Sequence, residues 1–251
     1  MLRHLLVFGA VAVALAAATE PAPAVVVTAA PGRANDTQPH FGGAKIDGPC
    51  TSGFSVRRNG TRITASVVAG HCFPKRDDGV SSGPEPYGEV KVALWDTTRD
   101  MSLVSSFETI PETYSSTIYV DPPGLPSTRR VVGARDPLPT DSLCVSGSIT
   151  GNQCGLTFDP GTKARSCNQG SLPPLICTEN LDVARKLSGG TVAQKGDSGA
   201  PVYARPSDGG EGVIIVGMLV GVDPNNASLI GFEPISFIQQ QLDVTVLVTA
   251  P

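Results

Sequence analysis

The sequence is poor in charged residues, aromatic residues and histidine. Of its 251 residues, 17% are charged and 5% are aromatic, with one tryptophan and three histidines. The net charge is −4 and no basic run exceeds two residues, as at Arg57–Arg58. Proteins that bind nucleic acid by neutralising phosphates need clustered cations, so no nucleic-acid partner is expected. A hydrophobic content of 40% also argues against a disordered chain.

Long apolar runs are scarce too, and the run near the amino terminus is short. It covers the 14 residues Leu5–Ala18, follows a basic start and precedes small residues. This pattern is typical of a secretory signal peptide. A spanning helix needs about 20 apolar residues, so a permanent membrane anchor is the less favoured alternative. We expect a signal peptide at 1–24, a linker or short propeptide at 25–40, and a folded region from about Phe41 in a secreted, extracellular protein.

Glycine and proline, in contrast, are abundant. The 28 glycines and 22 prolines favour many short elements joined by turns. The β-rich segments are closely spaced, with no long helical period between them, which predicts an antiparallel sandwich or barrel. A single helix is predicted at Ile235–Leu242. The predicted strands are Gly53–Val56, Thr61–Val68, Val90–Leu94, Ser116–Val120, Leu143–Ile149, Thr191–Ala193, Pro201–Tyr203 and Val213–Val222.

Six cysteines occur, and all of them follow residue 41. Their even number in a chain that looks exported predicts three disulfides, although six cysteines permit 15 connectivities. Zinc binding is the alternative interpretation. Because the sequence has no Cys-x-x-Cys pair, no metal is expected. The cysteines are Cys50, Cys72, Cys144, Cys154, Cys167 and Cys177.

Three local patterns carry residues that can act together in catalysis. His71 ends a β-branched strand, Asp100 opens a hydrophobic strand, and Ser198 lies in a Gly-Asp-Ser-Gly turn. Each pattern alone has a plain structural alternative: a histidine beside a cysteine, a solvated cap, an ordinary turn. A serine hydroxyl needs a base, however, and the base needs an acid that fixes its tautomer. With the other two histidines placed in the signal peptide and the linker, any imidazole base must be His71.

The glycines around Ser198 suit the same chemistry. The tetrahedral intermediate of acyl transfer carries an oxyanion that two preorganised backbone N–H groups can bind. A tight turn can aim the amides of Gly196 and Ser198 at one point, and a side chain at position 196 would obstruct that approach. Gly196 and Ser198 are therefore the predicted oxyanion hole.

Together these motifs resemble the secreted chymotrypsin-fold serine proteases, and most closely the bacterial streptogrisin and α-lytic type. The similar blocks are Cys50–Phe54 (Cys-Thr-Ser-Gly-Phe), Val68–Cys72 (Val-Ala-Gly-His-Cys), Asp100–Val104 (Asp-Met-Ser-Leu-Val), Cys144–Gly155 and Gly196–Val202 (Gly-Asp-Ser-Gly-Ala-Pro-Val). The resemblance implies an all-β fold of two six-stranded antiparallel Greek-key barrels, at 41–125 and 126–251, with a short C-terminal helix. It also implies a monomeric endopeptidase that uses His71, Asp100 and Ser198 on a peptide or protein substrate, without a cofactor.

The resemblance further implies the disulfide pairs and the environment of one acid. Cys50–Cys72 and Cys144–Cys154 match family blocks. The family's usual cysteine before the nucleophile turn is missing, so Cys167 is expected to pair locally with Cys177. In the family, the acid at Asp197 is buried beneath the oxyanion turn, and we expect an arginine or an amine to reach it.

The substrate pocket departs from the family pattern. Its predicted residues are Val192, Lys195, Val220, Gly221 and Val222, of which Val220 and Val222 stand where the family has smaller or polar residues. Apolar walls favour cleavage after small or medium apolar residues, and the absence of an acid near Val192 disfavours Arg or Lys. Lys195 offers an alternative preference for an acidic residue. The crowded pocket supports one other function, a catalytically weak or inactive binding module. Among enzymes, an esterase is the alternative to an endopeptidase.

Overall fold

A computed structural model of the chain describes residues 32–120, 127–167, 175–207 and 209–249. The predicted signal peptide at 1–24, the linker up to residue 31 and the predicted barrel boundary at 125/126 lie outside these ranges. Within them, no helix is long and apolar enough to cross a membrane.

The described residues form seventeen strands and one helix. The strands of the first half are β1 (His40–Gly42), β2 (Lys45–Ile46), β3 (Cys50–Thr51), β4 (Ser55–Arg58), β5 (Thr64–Val68), β6 (Gly79–Ser82), β7 (Glu85–Trp95), β8 (Asp100–Ser105) and β9 (Tyr114–Tyr119). The elements of the second half are β10 (Thr128–Ala134), β11 (Ser142–Gly147), β12 (Gly151–Cys167), β13 (Cys177–Lys186), β14 (Pro201–Ala204), β15 (Val213–Asp223), β16 (Asn226–Pro234), α1 (Ile235–Leu242) and β17 (Val244–Val246).

Two sets of six strands carry most of the fold. The first is the antiparallel sheet β17-β4-β5-β8-β7-β6. The second runs β15-β14-β11-β12-β13-β16 and closes on itself because β16 also pairs with β15. Strands β1, β9 and β10 extend the second set, and β10 joins β15 in parallel. The described residues therefore adopt the predicted all-β fold, with a single short helix among them.

The helix is found at its predicted position, and it packs on β15 and β16 of its own half as well as on β17 and β8 of the first sheet. Apolar positions recur along one face at Ile235, Ile238 and Leu242, and all three are buried with the core residues of β4 and β5. After α1, β17 pairs with β4. The predicted division of the chain at residue 125 is therefore incomplete, because the C-terminal residues complete the first sheet.

The folded region also begins earlier than predicted. Residues 32–40 were expected in a linker or propeptide, but Arg33, Asp36 and His40 are buried. Asp36 Oδ2 lies 2.8 Å from His40 Nδ1, and Glu112 Oε2 lies 3.0 Å from His40 Nε2. The composition of this segment does not indicate a folded region, because a few hydrogen-bonding side chains attach it to the domain and no apolar run does. His71 is consequently not the only histidine of the folded region.

Two further differences concern the strands of the second half. Thr191–Ala193, predicted as a strand, has no regular structure and leads into the nucleophile turn. The long hairpin β12–β13 was not predicted, since its polar, partly exposed residues lack clear alternation.

Three disulfides tie the fold with the pairing that the resemblance implies: Cys50–Cys72, Cys144–Cys154 and Cys167–Cys177.

Candidate active site

His71 follows the end of β5, and a glycine brings it close to the neighbouring strands. A Cβ atom on Gly70 would lie 2.7 Å from both the Leu94 carbonyl oxygen and the Met101 nitrogen. Such contacts are too short for any side chain, so glycine is needed for β5 to end against β7 and β8. The next residue, His71, is thereby placed beside Asp100 at the start of β8.

Two hydrogen bonds connect His71 with Asp100. The His71 backbone N–H donates to Asp100 Oδ1 at 2.8 Å, and His71 Nδ1 lies 2.7 Å from Asp100 Oδ2. Burial lowers the pKa of His71, but the charge and the hydrogen bond of Asp100 together outweigh burial and raise it above its ordinary value. The carboxylate thus fixes the ring through Nδ1 and favours the imidazolium. In the described part of the chain, Nε2 has no hydrogen-bond partner.

Ser198 lies in a turn that is pressed against β3. Gly196 and Gly199 have φ angles of +103° and +93°, which favour glycine. A Cβ on Gly199 would lie 2.1 Å from the Thr51 carbonyl oxygen. The Ser198 hydroxyl donates to the Val220 carbonyl at 3.4 Å and, within the described ranges, makes no hydrogen bond to His71.

The turn leaves two backbone donors unused. Thr51 binds two carbonyl groups of the turn. The Thr51 amide donates to Ser198 O at 2.9 Å, and the Thr51 hydroxyl donates to Gly196 O at 2.9 Å. Among the described residues, no acceptor pairs with the amide N–H of Gly196 or of Ser198. These are the two groups that the sequence predicts for an oxyanion hole.

Asp197, between them, is completely buried, but its partners differ from the prediction. Its carboxylate accepts from the backbone N–H groups of Ile149 at 2.8 Å, Thr150 at 3.2 Å and Gln194 at 3.0 Å. The Thr150 hydroxyl donates to it at 2.7 Å. No cation pairs with Asp197 in the described residues, so the expected arginine is not found there, and an amine from a processed amino terminus stays a prediction. Several N–H and O–H donors can satisfy a buried carboxylate in place of one cation.

A cleft with a cavity of about 600 Å³ brings most predicted site residues together. Its lining residues are His71, Trp95, Asp100, Ser166, Cys167, Ala193, Gln194, Lys195, Ser198, Leu219, Val220, Gly221, Val222 and Pro224. Lys195 is exposed at the cleft. Two predicted residues, Gly196 and Val192, do not line the cavity. Val192 is fully buried in the core of the second barrel, and Ala193 faces the cavity instead.

The β12–β13 hairpin closes one side of this cleft. Ser166 and Cys167 line the cavity near the end of β12. Across from them, the Thr178 hydroxyl donates to Asp96 O at 3.1 Å and the Glu179 amide donates to Thr97 O at 2.9 Å. The hairpin of the second half thus rests on the turn that precedes Asp100. Sequence reasoning missed these residues, although the paired cysteines mark where the hairpin lies.

His71 also lies near two sulfur atoms. Cys50 and Cys72 place their sulfurs within 4.8 Å of a His71 ring nitrogen, which is close enough for a shared metal. The two sulfurs are joined in a disulfide, however, and zinc binds the deprotonated thiolate. This group therefore fits a structural bridge beside the histidine, not a zinc site.

No protein-family model matches the sequence, and no curated protein matches it significantly. Solved structures do share its fold. Protease A of Thermobifida fusca is 22% identical with a TM-score of 0.61, covering 83% of this chain and 98% of the protease. A Nocardiopsis protease is 18% identical with a TM-score of 0.63, over 82% and 97%. Cellulomonas bogoriensis chymotrypsin is 21% identical with a TM-score of 0.60, over 83% and 98%. The chain therefore has the double-barrel fold of bacterial chymotrypsin-like serine proteases, as the sequence resemblance implies.

Proposed function

We propose that this protein is a secreted serine endopeptidase of the chymotrypsin-fold family. The observation that supports it most is the cleft itself, where the His71–Asp100 pair and Ser198 meet beside two unused backbone donors. The fold alone does not carry the proposal, because one fold hosts several functions. The three disulfides support an extracellular location.

In the proposed reaction, Ser198 attacks the carbonyl carbon of the scissile peptide bond. Rotation about its Cα–Cβ bond turns the hydroxyl away from Val220 and toward His71 Nε2. His71 takes the hydroxyl proton and later gives it to the leaving amine, while Asp100 holds Nδ1 and stabilises the imidazolium. A water molecule then attacks the acyl-enzyme. His71 takes a proton from this water and returns a proton to the Ser198 oxygen as the acyl group leaves.

The backbone donors of the turn stabilise the transition state in this proposal. As the carbonyl carbon becomes tetrahedral, its oxygen gains negative charge that the Gly196 and Ser198 N–H groups can bind. One such donor contributes about 10²–10³-fold to kcat in related chemistry. The hydrogen bonds from Thr51 and those to Asp197 fix the turn before substrate arrives, so no reorganisation is needed at that step.

The proposed specificity is for small or medium apolar residues before the scissile bond. Val220, Val222 and Ala193 give the cavity apolar walls. Asp100 is the one acid among the lining residues of the described chain, and His71 already holds it. A substrate Arg or Lys would therefore have no free carboxylate there. Lys195 supports a second preference, for an acidic residue, at the exposed rim.

A peptide library that varies only the residue before the scissile bond tests this function. We expect hydrolysis after Ala, Val or Leu, with graded preferences of ~10–200-fold, because apolar pockets discriminate weakly. The matched control is Ser198→Ala, which removes the nucleophile and leaves the turn intact. Equal cleavage by both proteins would contradict the proposal, and a strong Arg or Lys preference would contradict the pocket assignment.

A second candidate is a binding module without turnover. It is supported by the Ser198 hydroxyl, which is engaged with Val220 and not with His71. In that case, peptides would bind the wild type and Ser198→Ala with equal affinity, and neither protein would cleave peptides or activated esters. Cleavage of activated esters alone would identify an esterase.

A further inference from the structure

Glu233 is a buried acid that contacts the backbone of Asp100, the acid of the proposed catalytic site. It lies near the end of β16 with only 3% of its surface exposed. Its Oε1 accepts a hydrogen bond from the Asp100 backbone N–H at 3.1 Å. Glu233 therefore holds the backbone of the residue whose side chain orients His71, although 133 positions separate the two acids.

The acids that surround Glu233 each have a cation of their own. Asp96 accepts from Arg99 Nε at 2.9 Å, in the turn between β7 and β8. Asp182 on β13 pairs with Lys163 of β12. Asp100 pairs with His71, as described above. Glu233 has no cation within ion-pair distance in the described ranges.

The remaining surroundings of Glu233 are uncharged. Its neighbours on β15 across the ladder are Gly217, Met218 and Leu219, and the following helix α1 has no titratable residue. Burial, followed by the repulsion of Asp100, Asp182 and Asp96, raises the pKa of Glu233 to about 8, although its hydrogen bond with the Asp100 amide opposes the shift. Its surroundings therefore favour the uncharged carboxylic acid over the carboxylate.

We propose that Glu233 is a positioning residue of the site, an acceptor that fixes the Asp100 backbone and adds a second negative charge next to Asp100 only when it ionises. The first part follows from the hydrogen bond and the burial, and the second from the lack of a neighbouring cation. The effect on catalysis rests on the proposed function, whereas the effect on His71 does not.

The charge has a definite direction of action. Ionised Glu233 would favour the imidazolium form of His71, since a nearby negative charge stabilises a cation. More of His71 would then be protonated at a given alkaline pH and unable to accept the Ser198 proton. A neutral Glu233 supports Asp100 without this cost.

Titration of the His71 ring by NMR tests the proposal without needing turnover. With labelled histidine, assigned by the His71→Ala spectrum, wild-type His71 should show its own protonation and a second step near pH 8. Glu233→Gln keeps an acceptor but cannot ionise, so the second step should disappear. A wild type with a single step, or a second step that persists in Glu233→Gln, would overturn the proposal.

Asp182→Asn is the matched variant, because it changes the charge around Glu233 and not Glu233 itself. Removing this carboxylate should move the second step to lower pH, and an unmoved step would assign it to another group. On activity, Glu233→Ala should lower kcat about tenfold with little change in KM, and Glu233→Gln should restore it. If no variant hydrolyses peptides while the NMR steps behave as expected, the proposed function fails and the placement of Glu233 stands.

Discussion

Two histidines of this protein lie beside carboxylates, and only one of them is placed for chemistry. His40 is completely buried, with Asp36 at one ring nitrogen and Glu112 at the other. His71 is 26% exposed, with Asp100 at Nδ1 and the cleft at Nε2. A base must have a nitrogen that a substrate or nucleophile can reach. The acid partner alone does not distinguish a catalytic histidine from a structural one; the second nitrogen does.

The surroundings of the two rings also differ: those of His40 are closed, and those of His71 are open on one side. Tyr119 also donates to Asp36 at 2.7 Å, and the ring of Tyr87 lies 4.4 Å from that of His40. Burial raises the pKa of Asp36, while hydrogen bonds from His40 and Tyr119 oppose the shift. This closed network fastens the amino-terminal segment, whereas the cleft keeps one side of His71 open.

The largest expected effect separates the two histidines by activity. His71→Ala should lower kcat/KM by roughly 10⁴-fold or more, because His71 is the one imidazole among the described lining residues of the cleft. Its unfolding midpoint in urea should change little, since the ring is partly exposed. Peptide hydrolysis and denaturant unfolding measured on the same preparation check both parts. Retained hydrolysis would exclude His71 as the base.

His40→Ala should have the reverse effect. It leaves two buried carboxyl groups without their His40 hydrogen bonds, and each unsatisfied buried polar group costs about 1–3 kcal/mol of unfolding free energy. Urea unfolding with the disulfides intact measures this loss. Molecules that remain folded should keep their kcat. A variant as stable as wild type would show that the cluster does not fasten the segment.

Arg33 tests whether the amino-terminal segment also supports the cleft. Its guanidinium donates to the carbonyls of Gly43 at 2.8 Å and Gly147 at 3.2 Å and to the Ser146 hydroxyl at 2.7 Å. The β11–β12 turn that follows holds Asp197. Arg33→Gln should cost about 1.5–3 kcal/mol of stability and also lower kcat.

The matched control for this change is Arg76→Gln, at an arginine whose side chain is 73% exposed. It should be nearly neutral in both stability and kcat, since exposed ion pairs contribute little. If the two variants have the same small effect, Arg33 does not support the turn.

The smallest expected effect is on the pH profile. Because Asp100 raises the pKa of His71, kcat/KM should rise with pH with a midpoint above about 6.5. In Asp100→Asn the midpoint of the residual activity should fall below that of the wild type. The same shift affects stability. The His71–Asp100 contact stabilises the folded protein fully below the unfolded His pKa of about 6.5, and this contribution is lost as the pH rises through the raised pKa of folded His71. A midpoint that does not move would separate His71 from Asp100.

Much of the candidate site could be predicted because its parts are local in sequence. Gly70, Gly196 and Gly199 lie where the backbone approaches neighbouring atoms too closely for a side chain. Glycines at such positions can be recognised in the sequence. The amphipathic face of Ile235–Leu242 likewise predicts the helix within its exact bounds. The pocket was harder, because alignment to Ser198 does not reveal that Val192 turns into the core and Ala193 toward the cavity.

The sequence by itself determined the chemical groups: one serine in a glycine-bracketed turn, one histidine at a strand end and the acid that opens β8. Only the tertiary structure decided their environment. It buried His40 between two acids, satisfied Asp197 with amides instead of a cation, and placed Glu233 beneath Asp100. The physical reason is that burial and charge depend on residues far apart in the chain, whose proximity no local pattern encodes.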